Sequence, residues 1–203
     1  MNFNLSFITF LVFLLAGFGS GFAAQPDKVD ETTLTFEENI NIPAIGSKKA
    51  AQAVRTAMAE LSRRINDAHL SASTERNGEI VCVTVPCADL FRANARELSP
   101  SAHIILDKLK PYISRPEQFK VIIAVHSDNS GDQEYLDELT ADRANAIDEY
   151  FASHYTRELN IIPYGIGSDE PKTNNVTMRN RALNRRVEFY FIPTSAYIAH
   201  LQR

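Results

Sequence analysis

The stretch FKVIIAVHSDNSGDQEYLDELTADRANAI, residues 119–147, decides the fold of this 203-residue chain. Residues 119–125 form a nearly continuous apolar run, which is typical of a central strand covered on both faces. A polar turn follows, and the residues from Gly131 to about His154 are predicted to form a long helix. A strand, a turn and a helix in this order predict a unit in which the helix packs back on the sheet.

Two charged residues in this stretch stand where a buried charge would need a partner. Asp128 lies just past the strand, and Arg143 falls within or beside the apolar helix stripe that Leu136, Leu139 and Ile147 mark. One interpretation is an internal ion pair that pins the helix to the sheet. The other is a bipolar site, in which the carboxylate binds an ammonium group and the guanidinium binds a carboxylate of a zwitterion. The residues alone leave both interpretations open.

The flanking regions supply the rest of the predicted fold. A weakly alternating stretch at 34–42, ended by Pro43, predicts an edge strand, and residues 48–67 predict a helix capped by Ser47. Further elements are predicted in this order: a strand at 79–86, a helix that begins at Ser99-Pro100 and breaks in its last turn at Pro111, a strand at 160–164, a short helix at 176–184 and a strand at 186–191. We therefore expect an α/β (α+β) sandwich of order β-α-β-α-β-(α)-β, in which helices cover one mixed sheet, with an extra N-terminal helix.

Composition places the chain among ordinary globular proteins. It is 44% hydrophobic and 23% charged with a net charge of −4, so no nucleic-acid partner is expected. The segment Leu5–Phe18 is apolar and uncharged, and small residues follow it, so residues 1–24 are predicted to be a cleaved signal peptide. An uncleaved membrane anchor is the competing interpretation, although the run is shorter than the roughly 20 residues that span a bilayer. The remaining chain is divided into an extension (25–46), an N-terminal helix (47–72) and the main domain (73–203).

The two cysteines are predicted to be free. Export would place Cys82 and Cys87 in an oxidising compartment, where disulfides form. Both flank the sequence VTVP in one predicted strand, so about 16 Å of extended chain separates their Cα atoms. A disulfide requires Cα atoms within about 7 Å of each other. We therefore expect two free and mostly buried thiols.

Four separated motifs are similar to the OmpA-like C-terminal domain, the peptidoglycan-binding module that OmpA, Pal and MotB share. The stretch AVHSDNSGDQEYLDELTADRANAI (124–147) resembles its central signature, and DLFRANARELSPSA (89–102) resembles the segment after its first strand. The stretches IIPYGIGSDEP (161–171) and NRALNRRVEFYF (180–191) resemble its last two strands. Together the motifs occur in the family's order and cover about residues 78–192.

The resemblance implies noncovalent binding of peptidoglycan through the diaminopimelate of its stem peptide. By this resemblance Asp128 binds the ammonium group and Arg143 the carboxylate, while Asn94, Ser130 and Arg185 lie near the ligand. The resemblance implies no catalysis and no cofactor. It places the protein in the periplasm in association with the outer membrane, with peptidoglycan and an outer-membrane or envelope protein as partners.

Three departures from the family pattern motivate alternatives. Val125 and Ser127 stand where the family has Gly and Thr, and Leu136 stands where it has an asparagine whose amide contacts the ligand. One alternative is a structural or interaction protein that has lost the ligand and whose N-terminal helix, around Val54–Ile65, docks a partner. Another is a stator-like protein that keeps its N-terminal segment as a membrane anchor.

Weaker signals point to other chemistry. His126 and Asp128 could suit a metal ion, but no third ligand stands at metal spacing. Ser127 and Ser130 lie near His126 without the elbow motif of a serine hydrolase, so neither a metal site nor an enzyme is expected. The cluster MRNRALNRR (178–186) holds four arginines, which form either a solvated basic face or, in part, a lining of the ligand groove.

Overall fold

A five-stranded mixed sheet organises the chain in a computed structural model that describes residues 34–203. The predicted signal peptide and the first part of the extension lie outside these residues. The strands are β1 (Ser71–Glu75), β2 (Ile80–Pro86), β3 (Phe119–His126), β4 (Ile161–Gly167) and β5 (Arg186–Pro193). They lie in the order β1-β2-β5-β3-β4, and within residues 34–203 only the β3–β4 pair is parallel. The predicted mixed sheet with an interior β3 is confirmed.

Seven helices accompany the sheet within the described part of the chain. They are α1 (Phe36–Asn39), α2 (Lys48–Asp67), α3 (Cys87–Leu90), α4 (His103–Ile113), α5 (Gln133–Ala152), α6 (Met178–Asn184) and α7 (Ser195–Leu201). Helices α2, α4, α5 and α7 cover one face of the sheet, where Val54, Leu106, Ile147 and Ile198 join apolar residues of β2, β3 and β5 in one core. None of the helices in residues 34–203 is long and apolar enough to cross a membrane.

The local sequence explains the bounds of α2, the predicted N-terminal helix. The Ser47 hydroxyl accepts a hydrogen bond from the Ala50 amide at 3.1 Å, so the helix starts where the cap residue predicts. Val54, Met58 and Ile65 lie on one face of the helix and are completely buried. Cys82 and Cys87 are both free and buried, as the sequence predicted.

The predicted edge strand at 34–42 is wrong, because this segment contains helix α1. Thr35 and Glu38 form a capping box, in which the Thr35 hydroxyl accepts from the Glu38 amide and the Glu38 carboxylate accepts from the Thr35 amide. The segment does not pair with an edge of the sheet. Instead it crosses the face opposite the other helices, where the ring of Phe36 meets those of Tyr164 and Tyr190 edge to face.

We call residues Leu34–Ile42 the N-terminal strap. Tyr164 connects both ends of it, because its hydroxyl accepts from Asn39 Nδ2 at 2.6 Å and donates to the carbonyl of Leu34 at 2.7 Å. Lys120 Nζ donates to Asn39 Oδ1 at 3.1 Å. Ile40 is buried in a second, smaller apolar cluster on this face of the sheet. The strap therefore shields the second face from solvent through both apolar and polar contacts.

The start of the helix predicted at Ser99-Pro100 is also wrong. Helix α4 begins at His103, and no side chain caps it; the Ser99 hydroxyl contacts that of Ser101 at 3.2 Å instead. Residues 100–102 form turns ahead of the helix. The break predicted at Pro111 does not occur, and the helix continues to Ile113.

Candidate ligand-binding site

The carboxyl end of β3 positions Asp128. The Ser127 amide donates to the carbonyl of Gly167 at 2.7 Å, which extends the contact between β3 and β4 to the first residue of the turn. Asp128 Oδ1 accepts from the Ser130 amide at 2.9 Å and from the Ser130 hydroxyl. Its other oxygen, Oδ2, pairs with the guanidinium of Arg185. The carboxylate is thus fixed in direction although it lies in a turn.

Arg143 is buried without a carboxylate partner among residues 34–203. Only 5% of the surface of Arg143 is exposed. Nε donates to the carbonyl of Ala95 at 2.8 Å, Nη2 donates to the carbonyl of Arg92 at 3.4 Å, and the guanidinium carbon lies 4.9 Å from the centre of the Phe91 ring. Backbone carbonyls and an aromatic face stabilise a cation only in part. An anion that entered beside Arg143 would supply the missing negative charge.

All five residues singled out from the sequence line one cavity of about 390 Å³: Asn94, Asp128, Ser130, Arg143 and Arg185. The prediction that Asp128 and Arg143 share one site is therefore consistent with the structure. The alternative of an internal ion pair between them is wrong, because Asp128 pairs with Arg185. Within residues 34–203, Arg143 instead contacts backbone carbonyls, the Phe91 ring and the Cys87 thiol.

Asn94 reaches the cavity through an unusual backbone conformation. Its φ is +57°, in the left-handed region that asparagine tolerates better than most residues. The loop from Phe91 to Leu98 is closed by a bridge between these two residues, and the carbonyls that Arg143 binds belong to it. Arg143 and the loop therefore hold each other in place.

One wall of the cavity is apolar, which the charged residues of the sequence do not indicate. Phe91, Tyr135, Leu136 and Leu139 line it. Leu136 is only 6% exposed, so the position where the family has an asparagine contributes a hydrocarbon surface here. The periodic apolar stripe of α5 indicated that Leu136 and Leu139 lie on the buried face of the helix. The stripe alone does not show whether such residues line a cavity or pack in the core.

The charges in the cavity are unequal, with one carboxylate, that of Asp128, and three guanidinium groups, those of Arg92, Arg143 and Arg185. Burial raises the pKa of Asp128, but hydrogen bonds from Ser130 and the pairing with Arg185 outweigh burial, so its pKa lies below the usual value. Burial lowers the pKa of Arg143 from its very high ordinary value. Burial also raises the pKa of the Cys87 thiol, another lining residue, to about 11, which keeps it protonated at neutral pH.

The lowered pKa of Asp128 predicts a specific pH dependence of stability. The carboxylate's contribution is fully present above its unfolded pKa of about 3.9 and is lost as the pH falls through the lower pKa of the folded state. We expect the free energy of unfolding of the wild type to fall more steeply below about pH 4 than that of Asp128→Asn. Urea titrations at pH 6 and in steps below pH 4 measure this difference, with the exposed Asp89→Asn as control. Parallel curves for wild type and Asp128→Asn would contradict the prediction.

His126 lies on the other side of the sheet from the helices and does not line the cavity. Its Nε2 is 3.2 Å from Oε2 of Glu188, which also accepts from Tyr190. Burial raises the pKa of Glu188, but hydrogen bonds from His126, Arg186 and Tyr190 lower it well below the usual value overall. His126 is thus part of a buried polar cluster beneath the strap.

A second surface groove, of about 780 Å³, lies between α2, the end of α4 and α7. It is larger than the cavity around Asp128 and shares no lining residue with it. The smaller cavity is the better candidate for the ligand site, because the charged groups with fixed directions converge there.

Comparison with known proteins identifies the domain that contains the site. Residues 90–185 match the OmpA family. These residues therefore form an OmpA-like domain, which makes up somewhat less than half of the chain. This span contains all five predicted site residues, Asp128 and Arg143 among them.

Curated relatives match this chain over part of their own length. The chain is 29% identical over 116 residues to peptidoglycan-binding protein ArfA of Mycobacterium tuberculosis, an alignment that covers 51% of this chain and 36% of ArfA. It is 32% identical over 98 residues to outer-membrane lipoprotein YfiB of Pseudomonas aeruginosa, covering 48% of this chain and 58% of YfiB. The chain thus spans about a third of the length of ArfA and somewhat over half of YfiB.

A solved structure supports the fold. The chain resembles a MotB-like protein from Desulfovibrio vulgaris with a TM-score of 0.63 and 22% sequence identity, over 70% of this chain and 98% of that one. The predicted OmpA-like architecture is thereby confirmed.

Proposed function

We propose that this protein binds peptidoglycan noncovalently through a diaminopimelate-type stem peptide, and so tethers or stabilises the cell envelope. The observation that carries the proposal is the buried guanidinium of Arg143, which lacks a carboxylate partner among residues 34–203 and lines an open cavity with Asp128. The relationship to ArfA, whose name describes peptidoglycan binding, supports the same function.

The cavity fits the free end of a diamino acid. The ligand carboxylate accepts from Arg143 as a bidentate partner, and the ligand ammonium donates to Asp128. Arg185 already pairs with Asp128, but its side chain is 44% exposed, so this pair is weak and can share the carboxylate. The methylene groups of the ligand then lie against the apolar wall that Leu136 and Leu139 form.

In this proposal the protein is a binding protein without a catalytic group or a cofactor. Its place is the periplasm, in association with the outer membrane, where the leader at residues 1–24 would direct it. The apolar wall at Leu136 replaces one polar contact and does not remove either charged contact. Ligand binding is therefore retained in this proposal.

A pull-down with purified peptidoglycan sacculi tests the function. We expect the wild type to sediment with sacculi and the double variant Asp128→Ala/Arg143→Ala to remain in solution, because truncation of one buried charged partner costs about 2–5 kcal/mol. The matched control is Asp142→Ala/Arg96→Ala, which removes an exposed acid–base pair outside the cavity. Equal sedimentation of wild type and the cavity variant would refute the proposal and favour a protein that has lost its ligand.

Competition defines the chemical class of the ligand. Free diaminopimelate carries both an ammonium and a carboxylate at each end, whereas cadaverine carries only ammonium groups. We expect diaminopimelate to release the protein from sacculi and cadaverine not to do so, since only the former supplies an anion to Arg143.

A further inference from the structure

The connection between β4 and β5 carries a surface that the cavity does not include. Three of its apolar side chains are largely exposed: Val176 by 80%, Met178 by 77% and Leu183 by 53%. Residues 171–187 contain no acidic residue, although the whole chain has a net charge of −4. Their positive charges come from Lys172, Arg179, Arg181, Arg185 and Arg186.

We call Lys172, Val176, Met178, Arg179 and Leu183 the basic apolar surface. It is not a loose loop, because the buried side chain of Asn184 holds the segment from inside. Asn184 Nδ2 donates to the carbonyl of Thr173 at 2.8 Å, and its Oδ1 accepts from the Thr173 amide at 3.0 Å.

Two further contacts order the same segment. The Thr177 hydroxyl caps α6 by accepting from the Asn180 amide at 3.1 Å. Arg181 Nη1 donates to the carbonyl of Asn175 at 3.0 Å. The apolar side chains are therefore presented to solvent by an ordered backbone, which lowers the entropic cost of binding a ligand there.

The segment that carries this surface leads directly into the candidate site. Arg185 follows α6 directly and reaches Asp128 inside the cavity. The seven residues of α6 rise by about 10 Å, which is the length of roughly three extended peptide residues. A peptide held by one end in the cavity could therefore run along α6 as far as Met178 and Arg179.

We propose that the basic apolar surface binds the peptide that continues from the residue in the cavity. This inference rests on the proposed function. The partner it fits is an acidic peptide with small apolar side chains, such as the stem peptide of peptidoglycan. The exposed arginine and lysine side chains would pair with its carboxylates, and Val176 and Met178 would make apolar contacts with its methyl groups.

An anionic lipid surface would offer similar chemistry to basic and apolar side chains. The position of Arg185 favours the peptide over the lipid, because Arg185 follows α6 in the chain and also lines the cavity.

The test compares a small and an extended ligand on the full chain by calorimetry. The variant Met178→Ser/Arg179→Glu changes the surface and leaves the lining of the cavity intact. We expect its affinity for free diaminopimelate to stay within about twofold of that of the wild type. Its affinity for a diaminopimelate-containing disaccharide-tetrapeptide should be about tenfold lower, as for the loss of one charge-assisted contact. The control Ile104→Ser/Lys48→Glu makes the same changes in charge and polarity at exposed positions elsewhere.

The outcomes separate this inference from the proposed function. If the wild type binds both ligands and the surface variant binds the tetrapeptide equally well, the inference is overturned and the proposed function stands. If the wild type binds neither ligand, both are overturned. If the variant instead loses flotation with phosphatidylglycerol vesicles while its tetrapeptide affinity is unchanged, the surface is a lipid contact and the inference is overturned.

Discussion

Gly165→Ala is expected to lower the free energy of unfolding by about 3 kcal/mol, at the upper end of the range for overpacked substitutions. A Cβ atom at this position would lie 2.3 Å from the amide nitrogen of Ala141 and 2.6 Å from its Cα. Both atoms belong to the backbone of α5, so no side-chain rotation can relieve the contact. The helix would have to move away from β4, and because it carries Arg143, ligand binding would weaken as well.

Urea denaturation followed by circular dichroism measures the effect. The matched control is Gly46→Ala, since no heavy atom lies within 4 Å of a Cβ built at that position. We expect the control to change stability by less than about 0.5 kcal/mol. An unchanged urea midpoint for Gly165→Ala would show that α5 and β4 are not as tightly packed as described.

The second large effect concerns the two arginines of the predicted site, Arg143 and Arg185. We expect Arg143→Ala to weaken binding of a diaminopimelate-containing tetrapeptide by about 2–5 kcal/mol, which is thirtyfold or more. Arg143 is buried and lacks a carboxylate partner within residues 34–203, so a bound anion compensates its charge. Arg185→Ala should cost no more than about 1 kcal/mol, because the exposed Arg185 already has Asp128 as its partner.

Calorimetric titration of both variants with the same tetrapeptide measures the contrast. Arg143→Lys is a useful third variant, since it keeps a positive charge and removes the planar fork that can bind a carboxylate with two hydrogen bonds. We expect Arg143→Lys to bind more weakly than the wild type and more strongly than Arg143→Ala. Equal losses for Arg143→Ala and Arg185→Ala would show that burial of Arg143 has no role in recognition.

The parts of the fold that the sequence predicted well are those with strong local signals. The apolar run of β3, the capped and periodic α2, and the long α5 were all predicted, since each buries a regular pattern of side chains. Strand β1 was missed because most of its residues are exposed and show no alternation. Helix α1 was mistaken for a strand because apolar residues at 34, 36, 40 and 42 alternate, whereas the capping box at Thr35 and Glu38 was overlooked.

Which side chains of the site pair with each other depends on the order of the strands in the sheet, and local sequence patterns do not encode that order. Asp128 and Arg185 are 57 positions apart. They meet because β5 is inserted between β2 and β3, and antiparallel pairing of β3 with β5 aligns Val125 with Val187. The family resemblance placed both residues near the ligand but did not say that one would neutralise the other.

The N-terminal strap also sets the mechanical behaviour of the domain. If the domain is held at its cavity and pulled from the chain ahead of Leu34, the load reaches the strap before it reaches α2. Among the described residues, the hydrogen bonds of Tyr164 to Leu34 and Asn39 then bear tension before any contact of α2. Release of the nine strap residues would let the chain extend by up to about 30 Å while the sheet stays intact. The strap would thus limit the force that reaches the sheet when the preceding chain is pulled away from the bound polymer.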